Sequence, residues 1–273
     1  MTGRIVHLSD LHFGTERPGL DRALAAEVTR LRPDITVISG DLTQRALAGQ
    51  YRQVRGFLAA LPGPVLCIPG NHDMPLYNLA ARIFCPFRAF RRSVARDLEP
   101  MLETPRLRVI GMNTADPWVW QRGLVREASL DLACTRLSQA LPGQLRVVAM
   151  HHPLHQPPET GKAPMAGAAL AAQALAEAGA DVILCGHLHQ WAAAPYALRE
   201  GGRTMLAVQA GTALSTRLRG EENDFNLIDF DGGRVTVTRF TSPGQSPGFA
   251  AAGTTVFSQP DLARGWRAHL PPE

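Results

Sequence analysis

Short apolar runs punctuate the chain: Ile5–Leu8, Ile35–Ile38, Val65–Ile68, Leu107–Ile110, Val147–Met150, Val182–Cys185 and Met205–Val208. Each is brief, aliphatic or β-branched, and apolar without alternation, the pattern of strands buried on both faces. Between some of them lie longer stretches with helical spacing: Leu20–Leu31, Ala46–Leu61 and Met165–Ala178. Strand alternating with helix predicts an α/β fold. Farther on, Phe225–Phe230 and Arg234–Phe240 flank Asp231-Gly232-Gly233, which predicts a hairpin and adds antiparallel character. Residues 241–273 are richer in Gly, Pro and Ser and read as a loosely structured tail, with one short helix near Asp261–His269. No repeat or linker divides the chain, so residues 1–240 read as one domain, with 241–273 part of it or loosely attached.

The polar residues fall at particular places on this pattern. Ile5–Leu8 runs directly into Ser9-Asp10-Leu11-His12, and Ile35–Ile38 into Gly40-Asp41. Val65–Ile68 leads to Gly70-Asn71-His72-Asp73, Val147–Met150 to His151-His152-Pro153, and Val182–Cys185 to Gly186-His187-Leu188-His189. Five predicted strands therefore each end in a residue able to hold a metal. The carboxyl ends of strands are where ligands bind in open α/β sheets, so the five ends build one shared site. Two Asp, one Asn and four His, with no Cys, form a nitrogen and oxygen donor set suited to Fe, Mn, Zn or Co. Seven donors exceed what one ion takes from protein, whereas a carboxylate can bridge a pair of ions about 3.5–4 Å apart, the spacing used in phosphoryl chemistry.

The series Asp10-x-His12, Gly40-Asp41, Gly70-Asn71-His72-Asp73, His151 and Gly186-His187-x-His189 resembles the calcineurin-like metallophosphoesterase superfamily, and most of all its bacterial class III cyclic-nucleotide phosphodiesterases. The resemblance spans residues 10 to 189 and implies two packed mixed β-sheets flanked by helices. It also implies two transition metal ions, Mn, Fe or Zn: Asp10, His12, Asp41 and His189 would hold the first, and Asp41, Asn71, His151 and His187 the second. Asp41 would then bridge, and a hydroxide shared by the metals would attack phosphorus. His72 would stabilise the transition state or protonate the leaving oxygen, while Asp73 would orient His72 or a neighbouring loop. The His-x-Pro pattern selects His151 as ligand over His152, and His7, inside a strand, reads as a core histidine.

Other residues have two readings each. Asn113, after another strand, either bonds a phosphate oxygen or closes a turn. Arg217 and Asn226, in a polar region after Met205–Val208, either face substrate or belong to a surface loop. The Tyr77–Arg96 stretch mixes Phe84, Phe87 and Phe90 with Arg82, Arg88, Arg91, Arg92 and Arg96. It reads as an amphipathic packed element or as a basic, apolar cap that sets substrate choice.

Composition adds bounds. Of 28 basic residues, Lys162 is the only lysine; arginine pairs bidentately with phosphate oxygens and so suits an anionic substrate. A net charge of +4 over 273 residues is too dilute to indicate a stable nucleic-acid partner. Cys67, Cys85, Cys134 and Cys185 show no CxxC spacing and read as small hydrophobes in a reducing compartment, and no apolar signal or membrane segment stands out. The expectation is a cytoplasmic phosphodiesterase acting on small diesters such as 3′,5′-cyclic nucleotides. The alternatives are a nucleotide-linked lipid pyrophosphate hydrolase, or a nuclease or phosphomonoesterase with the same site. Weak peripheral membrane contact and a homodimer stay open.

Overall fold

The computed structural model describes residues 3–157, 163–197, 203–244, 246–261 and 265–269. In chain order the elements are β1 (Gly3–Leu8), α1 (Leu20–Leu31), β2 (Ile35–Ser39), α2 (Ala48–Ala60), β3 (Val65–Ile68), α3 (Leu79–Phe84), α4 (Arg88–Ser93), β4 (Met101–Thr104), β5 (Leu107–Met112), α5 (Glu127–Ser138), β6 (Leu145–Met150), α6 (Ala168–Glu177), β7 (Val182–Cys185), β8 (Ala192–Tyr196), β9 (Met205–Gln209), β10 (Asn223–Asp231), β11 (Arg234–Ser242), β12 (Ala250–Asp261) and β13 (Gly265–His269). They build two mixed sheets, ordered β13-β12-β11-β10-β1-β2-β3 and β4-β5-β6-β7-β9-β8. In the first sheet β1, β2 and β3 run parallel and β10 joins β1 antiparallel. In the second, β5, β6, β7 and β9 run parallel between antiparallel edges.

Alternation along each strand explains why the runs look uniformly apolar. Ile5, Val37, Leu66, Val109, Val147, Leu184 and Val208 point between the sheets into one core. Val6, Leu8 and Ile38 point outward under α1 and α2, while Ile110, Val148 and Ile183 point outward under α5 and α6. Period-two side chains thus meet a sheet on one face and helices on the other, and both faces must be apolar. The result is a four-layer sandwich, helices–sheet–sheet–helices, with the metal-capable loops gathered at the carboxyl ends of β1, β2, β3, β6 and β7.

Two expectations for the chain's last part change. The predicted short helix near Asp261–His269 is a strand, β13, over its described residues, and the predicted loose stretch contains the twelve-residue β12. β12 pairs with β11 from Thr241↔Ala250 to Arg234↔Ser258, and Trp266 of β13 packs, 2% exposed, into the core between the sheets. The edge of β11 supplies the pairing partners, so this region becomes strand despite its Ala-, Gly- and Ser-rich sequence.

Candidate metal centre

The loop after β1 places Asp10 and His12, the loop after β2 places Asp41, and a single 3₁₀ turn, Asn71–Asp73, follows β3. All of Asp10, His12, Asp41, Asn71, His151, His187 and His189 are buried. Asp10 Oδ1 lies 3.5 Å from His12 Nε2 and 3.2 Å from His189 Nε2. Asp41 Oδ2 lies 3.7 Å from His12 Nε2 and 3.3 Å from His151 Nε2. Donor atoms of Asp10, His12 and His189 converge within 4.8 Å of one another, as do those of Asp10, Asp41 and His151, of His12, Asp41 and His72, and of His151, His152 and His187. Asp41 belongs to two of these groups.

Hydrogen bonds behind the rings decide which nitrogens face inward. His151 Nδ1 donates to the Ser39 carbonyl at 2.8 Å, and His189 Nδ1 donates to the Arg217 carbonyl at 2.9 Å. A carbonyl only accepts, so in the neutral rings Nε2 carries the lone pair, the arrangement of metal-ligating histidines. His12 Nε2 and His189 Nε2 face each other at 3.1 Å. The buried atoms Asp10 Oδ1, Asn71 Oδ1 and His151 Nε2 make no hydrogen bond. Buried polar atoms turned toward one another in this way make an arrangement that a cation satisfies.

Electrostatics agree. Burial opposes ionisation of Asp10 and Asp41. His189 and His12 around Asp10, and His151 and His72 around Asp41, outweigh it and hold both carboxyls well below the usual range. Burial would likewise lower His151, but Asp41 and Asp10 push it up to about 9. Burial takes His12 down to about 4.

Small residues make the approach feasible. A Cβ at Gly70 would sit 2.1 Å from Asp41 Oδ1, and one at Gly186 would sit 1.8 Å from Ser9 Oγ and 2.3 Å from Asp10 Oδ2. Gly186 is thus needed for space rather than for bending. The bending falls on the ligands themselves: Asp10, His12, Asp41, His187 and His189 all have φ between 47° and 71°. Left-handed backbone at five non-glycine residues in one site is a signature of function rather than folding.

His72 and Asp73 divide their work. His72 Nδ1 donates to the Gln44 carbonyl at 2.8 Å, leaving Nε2 3.4 Å from Arg217 Nη1. Asp73 is fully buried; its Oδ1 accepts from Thr43 N and Oγ1, and its Oδ2 from Leu42 N and Gly70 N, at 2.9–3.1 Å. It therefore ties the loop after β2 to the turn carrying Asn71 and His72. Burial and the Asp41 charge push the Asp73 pKa up to about 7, yet every partner donates. Three of the four partners are backbone N–H groups, which can only donate, so they favour the carboxylate; the Thr43 hydroxyl alone could turn and accept.

Arg217 stands in the cavity of about 30 Å³ that Asp41, Asn71, His72, His187 and His189 line. The two other residues expected to meet substrate, Asn113 and Asn226, are not among those lining this cavity. Asn113 Oδ1 accepts from Ala115 N at 3.0 Å, so the side chain closes a turn. Asn226 sits on β10 opposite His7, accepts from Trp191 Nε1 at 2.7 Å and approaches His7 Nδ1 at 3.3 Å; it is spent inside the sheet. His7 itself is a core residue, kept neutral by burial that lowers it to about 3. His152, read as lying outside the ligand set, stands within reach of it, with Nδ1 2.8 Å from Thr114 Oγ1.

The Tyr77–Arg96 stretch splits. Phe87 and Phe90 are core residues, Phe84 is 84% exposed, and Arg82 is buried. Arg88, Arg91, Arg92 and Arg96 rim a surface hollow of about 540 Å³ that shares no lining residue with the metal cavity. Gln121, Arg219, Arg45 and Trp120 escaped sequence reasoning altogether. Gln121 and Arg219 line the cavity, and Arg45 and Trp120 line an adjoining cleft of about 170 Å³ that also contains Asn71, His72 and Gln121. Nothing in the local pattern around Asp116–Arg122 marks it as a wall of a site. Among the described residues, no helix is long and apolar enough to cross a membrane.

A family model for calcineurin-like phosphoesterases matches residues 3–191. The chain is 28% identical over 288 aligned positions to a cAMP/cGMP dual specificity phosphodiesterase of Mycobacterium tuberculosis, covering 89% of this chain and 84% of that one. It is 35% identical over 77 residues to the UDP-2,3-diacylglucosamine pyrophosphatase LpxG of Chlamydia muridarum, which is 27% of this chain and only 23% of that protein. A dimetal phosphatase from Danio rerio superposes with a TM-score of 0.60 at 13% identity, covering 91% of this chain and 98% of that one, a likeness of fold.

Proposed function

The chain belongs to the calcineurin-like phosphoesterase family, and from that premise we propose that it hydrolyses small phosphodiesters, with 3′,5′-cyclic nucleotides as substrates, on two metal ions. In this reading Asp10, His12, Asp41 and His189 hold one ion, and Asp41, Asn71, His151 and His187 the other, Mn, Fe or Zn in identity. The observation that carries it is the overlap of convergent donor groups from Asp10, His12, Asp41, His151, His187 and His189, with Asp10 Oδ1, Asn71 Oδ1 and His151 Nε2 buried and without hydrogen bonds. When bound, the ions supply Lewis-acid neutralisation of phosphate charge and a more acidic water.

The remaining work belongs to the chain's own side chains. Arg217 neutralises a phosphate oxygen in the cavity. His72, its Nδ1–H donated to the Gln44 carbonyl, aims Nε2 into the cavity, and the ring protonated at both nitrogens gives its Nε2 proton to the leaving oxygen. Asp73 positions the turn that carries both His72 and Asn71. The diester preference draws support from the Mycobacterium tuberculosis relative, which aligns with most of this chain. The free thiols of all four cysteines suit a cytoplasmic, reducing setting.

A second reading, hydrolysis of a nucleotide-linked lipid pyrophosphate, is favoured by one surface. Tyr77, Leu79, Ile83 and Phe84 are exposed on and beside α3, and LpxG is among the relatives. The test is a panel on protein stripped of metal and reconstituted with Mn, Fe or Zn, offering cyclic AMP, cyclic GMP, p-nitrophenyl phosphate and a lipid pyrophosphate. Turnover of the cyclic nucleotides is expected; cleavage confined to the lipid pyrophosphate or the monoester would reject the reading.

A further inference from the structure

Three independent features meet at Trp120. Its backbone is left-handed, φ 47°, a conformation rarely adopted by a bulky residue. The Arg82 guanidinium lies 4.5 Å from its ring centroid, within cation–π range. Trp120 also lines the cleft of about 170 Å³ that begins at His72 and Asn71, where the metal cavity ends. Arg82 is only 3% exposed, although α3, which carries it, is largely open to solvent. Its Nε donates to the Pro117 carbonyl at 3.0 Å and its Nη1 to the Pro75 carbonyl at 3.3 Å. One buried guanidinium therefore joins the segment just after the His72 turn to the loop that carries Trp120.

That loop is anchored at both ends. Asp116 Oδ1 accepts from Trp118 N, its Oδ2 accepts from Arg126 Nη2, both at 2.8 Å, and Arg122 Nε donates to the Pro164 carbonyl at 2.7 Å. Strain that is held by such contacts marks a residue whose placement matters more than its backbone comfort. Trp120 remains 50% exposed, so one ring is held, backed by a cation, and left open. A surface that only needed filling would not require an indole there.

We propose that Trp120, held by Arg82, is the stacking wall of a subsite for a planar heteroaromatic ring on the substrate's nucleoside side, a nucleobase in chemical class. The proposal rests on the reading above that the phosphoryl group sits in the metal cavity. Arg45 and Gln121 line the same cleft and supply hydrogen-bonding groups beside the ring. The cleft holds several times the roughly 30 Å³ that one water occupies in the liquid, which is room for a ring system beside the scissile group. Stacking on the ring is blind to base identity, so the subsite selects for the presence of a base and discriminates weakly among bases.

The test compares two competitive ligands that differ by the base alone, AMP and ribose 5-phosphate, as inhibitors of bis(p-nitrophenyl) phosphate hydrolysis by the metal-reconstituted protein. AMP is expected to bind roughly 5- to 10-fold more tightly than ribose 5-phosphate, the low end of base–aromatic stacking because one face of the indole is already covered. Trp120→Leu should close that gap to within about twofold, and Trp120→Phe should keep most of it. AMP should also quench tryptophan emission in the parent protein and not in Trp120→Leu, which retains Trp118, Trp191 and Trp266. Absence of a gap in the parent, or a gap that survives Trp120→Leu, overturns the subsite. Cyclic-nucleotide turnover is measured separately: its absence with the AMP gap intact rejects the substrate reading while upholding the stacking wall.

Discussion

Replacing Asp73 by Asn changes one atom and tests whether the carboxylate is the clasp between two catalytic loops. The amide nitrogen can take the place of either oxygen. At the Oδ2 position it would face two backbone donors, Leu42 N and Gly70 N; at Oδ1 it would face Thr43 N and Thr43 Oγ1. The hydroxyl can turn and accept, since Thr43 Oγ1 already has a second partner in the His72 carbonyl at 3.2 Å. The variant therefore settles with its nitrogen at Oδ1, leaving one buried backbone N–H without an acceptor and two bonds without charge assistance. An orphaned buried donor costs about 1–3 kcal/mol and each lost charge assistance about 1 kcal/mol, so the change costs roughly 3–5 kcal/mol. That is a large part of a typical folding stability, and Tm should fall on the order of 10 °C. Removal of buried negative charge near Asp41 acts in the opposite direction, as the upward pKa of Asp73 indicates. Thermal unfolding at about pH 8, above that value, in excess chelator keeps metal binding from contributing to either protein. If Asp73→Asn melts at or above the parent there, burial outweighs the four donors and Asp73 is not a clasp.

Chelation should abolish hydrolysis, and reconstitution with Mn, Fe or Zn should restore it with two ions per chain; elemental analysis that finds only traces would reject a two-metal site. Asp41→Ala should be the most damaging ligand change, since it leaves two cations without the shared carboxylate, and retention of both ions would exclude Asp41 as a bridge. His72→Ala should keep its metal while turnover drops ~10²–10⁴-fold, the usual loss for an acid–base group; metal loss would make His72 a ligand. His151→Ala should lose metal where His152→Ala largely keeps it, because His151 Nε2 lies 3.3 Å from Asp41, the carboxylate read as the bridge. The reverse order, read by the same elemental analysis, would move the ligand by one position.

How legible each part was in the sequence follows from what holds it in place. The parallel strands announce themselves because both faces are buried, and the residues at their carboxyl ends follow at once in the chain. Asp10, Asp41, Asn71, His151 and His187 could be found that way, with no knowledge of how the strands pair. β12 and β13 could not, because their strand character comes from the edge of β11 and from the core that receives Trp266, both remote in sequence. Asn113 and Asn226 had the right chemistry, but their hydrogen bonds go to Ala115 and to Trp191, which only the folded chain reveals. Trp120 and Gln121 were silent for the same reason, and so was the link from Arg82 to their loop: 35 residues separate Arg82 from its partner Pro117, and no local pattern joins them.

The candidate centre stands on a frame of hydrogen bonds between its loops. Left-handed backbone costs on the order of 1 kcal/mol or more per non-glycine residue, and Asp10, His12, Asp41, His187 and His189 all adopt it. Together they cost an amount comparable to the whole stability of a domain, so something must over-determine them. The contacts that do so run between the loops rather than within them. Asp10 N bonds the Gly40 carbonyl, His12 N the Asp41 carbonyl, and Gly186 N the His151 carbonyl. Asp10 Oδ2 accepts from His187 N and Asp41 Oδ1 from His72 N, so each acidic ligand spends one oxygen on a neighbouring loop and keeps the other for the centre. Thr212 Oγ1 donates to the Asp10 carbonyl at 2.6 Å, drawing in the segment that leads to Arg217. Every loop that supplies a candidate ligand is thereby a scaffold for another, and these bonds hold the donor atoms within reach of one another.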